Sequence, residues 1–250
     1  MSFDPTRLAD TPPPNRIPMS DRPSISIVVP AFNEAESLVD TVAAIVTSLP
    51  DARTAQIVLV DDGSTDDTAA VMRGIEADCA SQVTIVRRAA NGGLGQALAS
   101  GFAEATGHVL TWIPGDGEYD LSEVLVGVEL LADADVVLVR RNARGQVGRN
   151  IVSSVMYALI RLGFGFDARG YCGIFVISQQ RWSELAVESR DVFFTLEVAL
   201  RSRHSRWRIQ FIPAEWRPRR AGRSKVFNVR TVLRNVGELC SFRVRLWRGR

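Results

Sequence analysis

The stretch AQIVLVDDGSTDDT, residues 55–68, passes from an apolar run into acidic and turn-forming residues. The apolar run is rich in β-branched side chains, and this composition predicts a buried β-strand. Asp61 and Asp62 follow the strand directly, and Gly63 and Ser64 predict a turn. The two carboxylates can bind a ligand at the strand end, or they can cap the helix that begins after the turn. The sequence leaves both alternatives open.

The same strand-to-helix pattern recurs on both sides of this stretch. Six further stretches predict strands, and helical spacing of apolar residues follows several of them. They are SISIVVPAFNE, QVTIVRR, GHVLTWIP, ADVVLVRR, GYCGIFVIS and WRIQFIP. Strands that alternate with helices predict an α/β fold with a mostly parallel central sheet and flanking helices. We expect a single domain over residues 23–225. The proline-rich residues 1–22 lack periodic apolar positions and predict a disordered leader.

Three polar clusters follow predicted strands: FNE after the first, DDGS after the second and PGDGE after the fourth. Ligands of parallel sheets bind at the carboxyl ends of strands, so these clusters are expected to meet at one edge. The glycine turn NGGLGQA, which includes Asn91 and Gly95, begins a helix and offers backbone amides to an anion. Its glycine order does not fit the dinucleotide-binding fingerprint.

The acidic segment PGDGEYD, residues 114–120, has two interpretations. Asp116 and Glu118 can bind a hard divalent cation such as Mg²⁺ or Mn²⁺ and leave coordination positions for substrate phosphates. Alternatively, the acids only cap the following helix, for which Asp120 is better placed than Asp116.

Charge is distributed unevenly along the 250 residues. The last fifty residues carry fifteen Lys or Arg and two acids, whereas the first 200 carry fifteen basic and twenty-six acidic residues. A basic tail favours polyanions such as phosphates, nucleic acid or an anionic membrane, although a solvated basic face is the alternative. No signal peptide and no run of about 18 apolar residues is evident, and three widely spaced cysteines suggest a reducing cytosol.

The order of PAFNE, VDDGSTDDT, NGGLGQA and PGDGEYD resembles that of glycosyltransferase family 2, which has the GT-A fold, a Rossmann-like arrangement. The resemblance runs from about Ile25 to Lys225. It implies a nucleoside-diphosphate sugar donor, a UDP- or GDP-sugar. It also implies donor contacts at the residues that match the family pattern. They are Pro30, Phe32, Glu34, Asp61, Asp62, Asn91 and Gly95.

The resemblance further implies that Asp116, with Glu118, holds Mg²⁺ or Mn²⁺ and takes part in catalysis. The family motif has two aspartates that flank one residue, often followed two positions later by glutamine. Here Pro114 stands at the first aspartate and Glu118 at the glutamine. Proline has no side-chain ligand for a cation, so an inactive nucleotide-binding relative remains a second interpretation.

The later motifs are similar to those of the dolichol-phosphate mannose synthase branch, in which the acceptor is a polyprenyl phosphate. Matching positions occur after the fifth strand, in GRNIVSS and in RRAGRSK. Arginine forks, a hydroxyl and an ammonium suit a phosphate monoester. The implied acceptor-phosphate residues are Arg141, Arg149, Ser153, Arg219, Ser224 and Lys225.

Glu197 matches the acidic position before the last strand and is the candidate catalytic base, with Asp191, if the acceptor is a hydroxyl. Its structural alternative is a helix salt bridge to Arg201, four residues later. A phosphate acceptor is already anionic and requires no strong base.

Residues 226–250 are predicted to form a basic amphipathic helix that lies on an anionic membrane surface. This places the protein in the cytoplasm, peripherally on the inner face of the membrane. Alternatively, this helix packs on the catalytic domain or on a membrane partner subunit. Other transferases that act on hydroxyl acceptors remain open, whereas nucleic-acid binding is not expected because interleaved aromatics and a known module are lacking.

Overall fold

The computed structural model describes most of the chain. The described residues are 24–49, 54–78, 82–142, 150–191, 193–215, 237–239 and 241–246, with residues 150–155 described by backbone only. The strands are β1 (Ile25–Ala31), β2 (Ala55–Asp61), β3 (Val83–Arg87), β4 (Val109–Trp112), β5 (Val136–Arg141), β6 (Tyr171–Ser178) and β7 (Ile209–Ala214). The helices are α1 (Leu38–Ser48), α2 (Thr68–Asp78), α3 (Leu94–Glu104), α4 (Leu121–Leu130), α5 (Asn150–Phe164), α6 (Gln179–Leu185) and α7 (Phe193–His204).

The strands form a seven-stranded sheet in the order β3-β2-β1-β4-β6-β5-β7. Every neighbouring pair is parallel except the two that involve β6, which runs antiparallel to both β4 and β5. The prediction of a mostly parallel sheet with flanking helices is therefore confirmed. The reversal of β6 means that its first residues lie at the edge where its neighbours end.

The central strands are buried on both faces, as expected for a sheet with helices on either side. Every residue of β1 is buried, and β2 is buried except at Gln56. This explains why their sequences read as continuous β-branched runs rather than as an alternation of apolar and polar residues. The helices bury one apolar stripe each, for example Leu38, Val42 and Ile45 of α1.

An aromatic cluster fills the space between α3, α6, α7 and the sheet. The Phe102 ring lies 5.5 Å from Phe175, 4.6 Å from Trp182 and 6.3 Å from Phe194, measured between centroids. Helix α6, which supplies Trp182, has no clear apolar periodicity and was not predicted from the sequence. It begins at the Ser178 cap, whose side chain accepts a hydrogen bond from Arg181 N at 3.2 Å.

Part of the predicted C-terminal helix lies within the described residues, and 237–239 and 241–246 are helical. Leu239 and Phe242 are buried, and the Phe242 ring packs against Phe164 of α5 and Phe193 of α7. The alternative of packing on the catalytic domain thus holds for these residues. No helix among the described residues is both long enough and apolar enough to cross a lipid bilayer.

Candidate active site

The polar clusters predicted to meet do share one edge of the sheet. Asp61 lies opposite Ala31 in the parallel pairing of β2 with β1. Gly115, which follows β4, donates its N–H to the carbonyl of Pro30 at 3.2 Å. At the far side, the N–H of Arg141 donates to the carbonyl of Gly170 at 2.7 Å, just before β6. The ends of β1, β2, β4 and β5 and the start of β6 therefore form one continuous edge.

The loops after β1 and β2 are joined to each other by hydrogen bonds. Asn33 N donates to Ser64 Oγ at 3.0 Å, and Thr65 N donates to Asn33 Oδ1 at 2.8 Å. Glu34 N donates to Thr68 Oγ1 at 2.9 Å, which ties the FNE loop to the start of α2. The two strand-end loops are thus one rigid unit.

The residues predicted to line the donor pocket in the first loop differ in exposure. Pro30 is buried within β1, whereas Phe32 and Glu34 are partly exposed at the edge. Ser37 Oγ, just before α1, lies 3.0 Å from the Glu34 carboxylate and shares its one hydrogen between this carboxylate and the Gly115 carbonyl. Phe32 and Glu34 are therefore the members of this group that face solvent at the site.

Asp61 is fully buried at the end of β2. Its Oδ1 accepts a hydrogen bond from Ser64 N at 2.8 Å. Its Oδ2 has no hydrogen-bond partner among the described residues, although Arg87 Nε lies 3.4 Å away as an ion pair without hydrogen-bond geometry. A buried carboxylate oxygen without a donor is costly, which marks this atom as a candidate ligand contact.

Asp62 is also buried, but both of its oxygens accept hydrogen bonds from the protein. Oδ1 accepts from Arg88 Nε at 2.7 Å and from Gly92 N at 3.0 Å, and Oδ2 accepts from Gly93 N at 2.8 Å. The anion that occupies the glycine turn at the start of α3 is therefore the carboxylate of Asp62. In this structure Asp62 holds the glycine turn in place, and its contact with the donor stays a prediction.

The other two residues predicted from the glycine turn lie in different surroundings. Asn91 is exposed, whereas Gly95 is buried against the backbone of Arg190 and Asp191. A Cβ built on Gly95 would overlap that backbone. Close packing of α3 against the segment 186–191 therefore explains the glycine, and a contact of its backbone with the donor stays a prediction.

In the acidic segment after β4, the capping interpretation is confirmed for Asp120, and cation binding by Asp116 and Glu118 stays a prediction. Asp120 caps α4, with its side chain accepting from Ser122 N at 2.9 Å. Asp116 is 5% exposed and accepts a hydrogen bond from Glu118 N at 3.1 Å. The Gly115 carbonyl is held by Ser37 Oγ at 3.0 Å and Thr41 Oγ1 at 3.1 Å. Asp116 is thus positioned by the loop but does not serve as the cap.

The fit of a divalent cation can be tested on these residues. The described residues contain no group of three or more His, Cys, Asp or Glu side chains placed to hold a metal ion. A cation that also binds a substrate diphosphate needs only one or two protein carboxylates. Asp116, with Glu118 two residues later, meets this lower requirement, whereas Pro114 contributes no ligand.

The guanidinium of Arg141 is bound by a tyrosine that sequence reasoning did not single out. Arg141 Nη2 and Nε donate to Tyr119 Oη at 2.9 and 3.3 Å. Tyr119 is 8% exposed, and burial raises the pKa of its phenol well above the ordinary value. Tyr119 follows the acidic pair directly, so this contact joins the end of β4 to the end of β5. The strand order that makes the contact could not be read from the sequence.

Glu197 is fully buried on α7 and has three hydrogen-bond donors. It accepts from Ser189 N at 2.7 Å, from Glu188 N at 3.2 Å and from Arg201 Nε at 2.6 Å. The salt bridge to Arg201 predicted as its structural alternative is therefore present. This arrangement anchors the segment 186–191 on α7, and a carboxylate whose two oxygens are held by three protein donors is poorly placed to act as a general base.

Asp191, the other candidate base, accepts hydrogen bonds from Ser189 Oγ at 3.0 Å and from Phe193 N at 2.8 Å. These contacts place it at the start of α7. Several predicted acceptor residues lie outside the described residues. They are Arg149, Arg219, Ser224 and Lys225, together with the side chain of Ser153.

The sequence and the fold of the chain are similar to those of known proteins. The chain matches the protein family described as Glycosyl transferase family 2 over residues 26–217. An undecaprenyl-phosphate 4-deoxy-4-formamido-L-arabinose transferase of Sodalis glossinidius is 35% identical over 140 residues. That match covers 55% of this chain and 43% of the relative, so the chain spans less than half of that protein's length. An uncharacterised glycosyltransferase of Mycobacterium tuberculosis is 28% identical over 208 residues, covering 81% of this chain and 89% of the relative.

Solved structures share the fold at lower identity. Glucosyl-3-phosphoglycerate synthase from Mycobacterium tuberculosis, solved with Mn²⁺, UDP and glucosyl-3-phosphoglycerate, superposes with a TM-score of 0.61 at 19% identity. The match covers 91% of this chain and 79% of that structure. A mannosyltransferase from Pyrobaculum calidifontis, solved with GDP-Man and Mn²⁺, gives a TM-score of 0.57 at 18% identity, covering 83% and 61%. The fold is thus GT-A, and the chain belongs to glycosyltransferase family 2.

Proposed function

We propose that this glycosyltransferase moves a sugar from a nucleoside-diphosphate sugar to the phosphate of a polyprenyl phosphate. The observation that carries the proposal is the contact between Tyr119 and Arg141. It holds the guanidinium of Arg141, which we assign to the acceptor phosphate, at the same edge as the carboxylates of Asp61 and Asp116. The match of RRAGRSK to the polyprenyl-phosphate branch, and the name of the relative from Sodalis glossinidius, support this acceptor.

The donor nucleotide is proposed to bind at the ends of β1 and β2. The base supplies an N–H to Asp61 Oδ2, the buried oxygen that lacks a described hydrogen-bond partner. Uracil and guanine both carry such an N–H, so this contact accepts a UDP- or a GDP-sugar. Phe32 and Glu34 border the same pocket. Asp62 supports the pocket by accepting hydrogen bonds from the glycine turn.

Asp116, with Glu118, is proposed to hold Mg²⁺ or Mn²⁺ against the donor diphosphate. The cation would stabilise the negative charge that grows on the departing nucleoside diphosphate. The Gly115 carbonyl, fixed by Ser37 and Thr41, keeps the Asp116 loop in place while the donor binds.

The acceptor phosphate is proposed to bind Arg141, together with the residues that the family resemblance adds. Those residues are Arg149, Ser153, Arg219, Ser224 and Lys225. One phosphate oxygen attacks the anomeric carbon from the face opposite the leaving group, and the bond to the nucleoside diphosphate breaks. The configuration inverts. Because the attacking oxygen is already anionic, no general base is required, which is consistent with the buried, paired state of Glu197.

The lipid acceptor implies work at a membrane, which we place on the cytoplasmic, inner face. Leu239 and Phe242 are buried against the domain, so they are not available to enter a bilayer in this conformation. We therefore propose that the basic residues among the last fifty are attracted to an anionic membrane surface. Binding to a membrane partner subunit is the alternative. Liposome pelleting with and without anionic lipid tests the surface contact.

A second candidate function rests on Pro114. With one aspartate of the family motif replaced, the protein could bind a nucleotide sugar without transferring it. This candidate predicts nucleotide binding without turnover on any acceptor tested.

The first experiment is transfer of radiolabelled sugar into polyprenyl phosphate, with UDP- and GDP-sugars and with Mg²⁺, Mn²⁺ or EDTA. We expect label in the lipid phase with one donor. We expect its loss with EDTA and a fall of at least about a hundredfold for Asp116→Ala. Intact nucleotide binding with no label from any donor would instead favour the second candidate.

A further inference from the structure

Tyr119 occupies a bridging position between the two halves of the site. It belongs to the loop after β4, three residues beyond Asp116, while Arg141 is the last residue of β5. Strand β6 lies between β4 and β5 in the sheet. The tyrosine side chain therefore spans the start of β6 to reach the guanidinium, and it links the metal-side loop to the acceptor side.

The hydrogen bonds of Tyr119 are directional. Arg141 donates two N–H groups from one edge of its guanidinium to the single phenolic oxygen. These two contacts make the phenolic oxygen the acceptor and the guanidinium the donor.

A purely packing role does not account for this geometry. Phenylalanine would bury the same ring equally well, yet the Tyr119 hydroxyl accepts hydrogen bonds from the Arg141 guanidinium. Arginine side chains carry several rotatable bonds, and holding one in a single orientation reduces the entropy lost when it binds an anion. A neutral acceptor fixes the guanidinium without neutralising its charge, whereas a carboxylate at this place would compete with a phosphate.

We propose that Tyr119 is a positioning residue that orients the Arg141 guanidinium for the acceptor phosphate. The loop that carries Asp116 and the end of β5 thereby act as one site. This inference rests on the proposed function, in which Arg141 binds a polyprenyl phosphate.

The test uses the 250-residue chain and farnesyl phosphate, a short polyprenyl phosphate, titrated by calorimetry. Tyr119→Phe should weaken farnesyl phosphate binding about tenfold, because the two hydrogen bonds that orient the charged guanidinium are lost. Binding of UDP or GDP, whichever the unmodified protein prefers, should change by less than about twofold, because Tyr119 is assigned to the acceptor side. A merely structural role would lower both affinities together.

Tyr171→Phe is the matched control. The Tyr171 hydroxyl donates to the carbonyl of Thr195 at 2.9 Å, and the residue lies on the neighbouring strand. Removing that hydroxyl should leave farnesyl phosphate binding unchanged. An equal loss in both Phe variants would mean that Tyr119 acts only through packing, and would overturn the inference.

A double-mutant cycle separates the inference from the function on which it rests. Arg141→Lys should weaken farnesyl phosphate binding because lysine lacks the guanidinium fork. In that background Tyr119→Phe should cause less than about a twofold further change, since the residues act as a unit. Full additivity, or unchanged binding by Tyr119→Phe alone, overturns the role of Tyr119 while the acceptor assignment stands. No binding by the unmodified protein, or no effect of Arg141→Lys, overturns the acceptor assignment itself.

Discussion

Two adjacent aspartates at the end of β2 perform different tasks. Asp62 accepts hydrogen bonds from Arg88, Gly92 and Gly93 and holds the glycine turn, while Asp61 keeps one buried oxygen without a described hydrogen-bond donor. Both were predicted as donor contacts, and the sequence offers no means of telling them apart. The difference arises because the turn before α3 folds back on Asp62, a contact between residues thirty positions apart in the chain.

Asp61→Asn should lower nucleotide affinity about tenfold or more. The substitution keeps the shape of the side chain but weakens the acceptor that we assign to the base N–H. Calorimetric titration of UDP and GDP measures the loss.

Asp66→Asn is the control for this substitution. Asp66 lies in the same pair of loops, and burial would raise the pKa of its carboxyl. Hydrogen bonds from Thr68 and Ala35 outweigh that effect and lower the pKa. Because its oxygens already accept these bonds, Asp66→Asn should alter nucleotide affinity by less than Asp61→Asn. A larger loss of affinity for Asp66→Asn than for Asp61→Asn would mean that the nucleotide base does not bind at Asp61.

At the scale of elements, the packing of α3 on the segment 186–191 supports the donor half of the site. Gly95 lies against the backbone of Arg190 and Asp191, and Glu197 holds that segment through the N–H groups of Glu188 and Ser189. The amides at the start of α3 in turn hold Asp62. A shift of α3 would therefore displace Asp62, at the end of β2.

Gly95→Ala should destabilise the protein by about 1–3 kcal/mol, because the added methyl group overlaps backbone that cannot rotate away. Nucleotide affinity should fall as well. Denaturant unfolding and nucleotide titration measure the two effects.

Gly74→Ala in α2 is the matched control. A Cβ on Gly74 would meet no described atom within 4 Å, and alanine is the better helix former. This variant should be as stable as the parent or more stable by about 0.5–1 kcal/mol. Equal destabilisation by both substitutions would contradict the packing argument.

Elements were predicted from the sequence better than the contacts between them. The strands were recognisable because buried parallel strands are continuous apolar runs, as in Ile25–Ala31 and Ala55–Asp61. Helix α6 was missed because it is short and its one buried residue, Leu185, gives no apolar periodicity. The contact of Tyr119 with Arg141 was missed because it depends on β6 lying between β4 and β5, and local patterns do not encode strand order.

At the scale of the whole molecule, the basic C-terminal segment is partly integrated into the domain. Arg201 and Arg245 lie 5.4 and 5.7 Å from the centre of the Phe242 ring, and Arg245 pairs with Glu188 at 3.4 Å. Some of the arginines that create the charge asymmetry are therefore already engaged with aromatic and acidic side chains of the domain.

Phe242→Ala should destabilise the protein by about 3 kcal/mol or more, since it opens a cavity between α5, α7 and the C-terminal segment. Thermal or denaturant unfolding measures the change. Val244→Ala, at a side chain that is 46% exposed, should cost no more than about 0.5 kcal/mol. If Phe242→Ala were as stable as the parent, the packing of this segment on the domain would be refuted.

The reversal of β6 has a consequence for how this scaffold can diversify. Because β6 starts where its neighbours end, the loop 165–170 ends beside Arg141, whose N–H donates to the Gly170 carbonyl. We assign this side to the acceptor, and the loops after β1 and β2 to the donor. Insertions or deletions in 165–170 can therefore reshape the acceptor side without moving a strand of the donor half. Acceptor specificity can then evolve while the loops that we assign to the donor nucleotide are inherited unchanged.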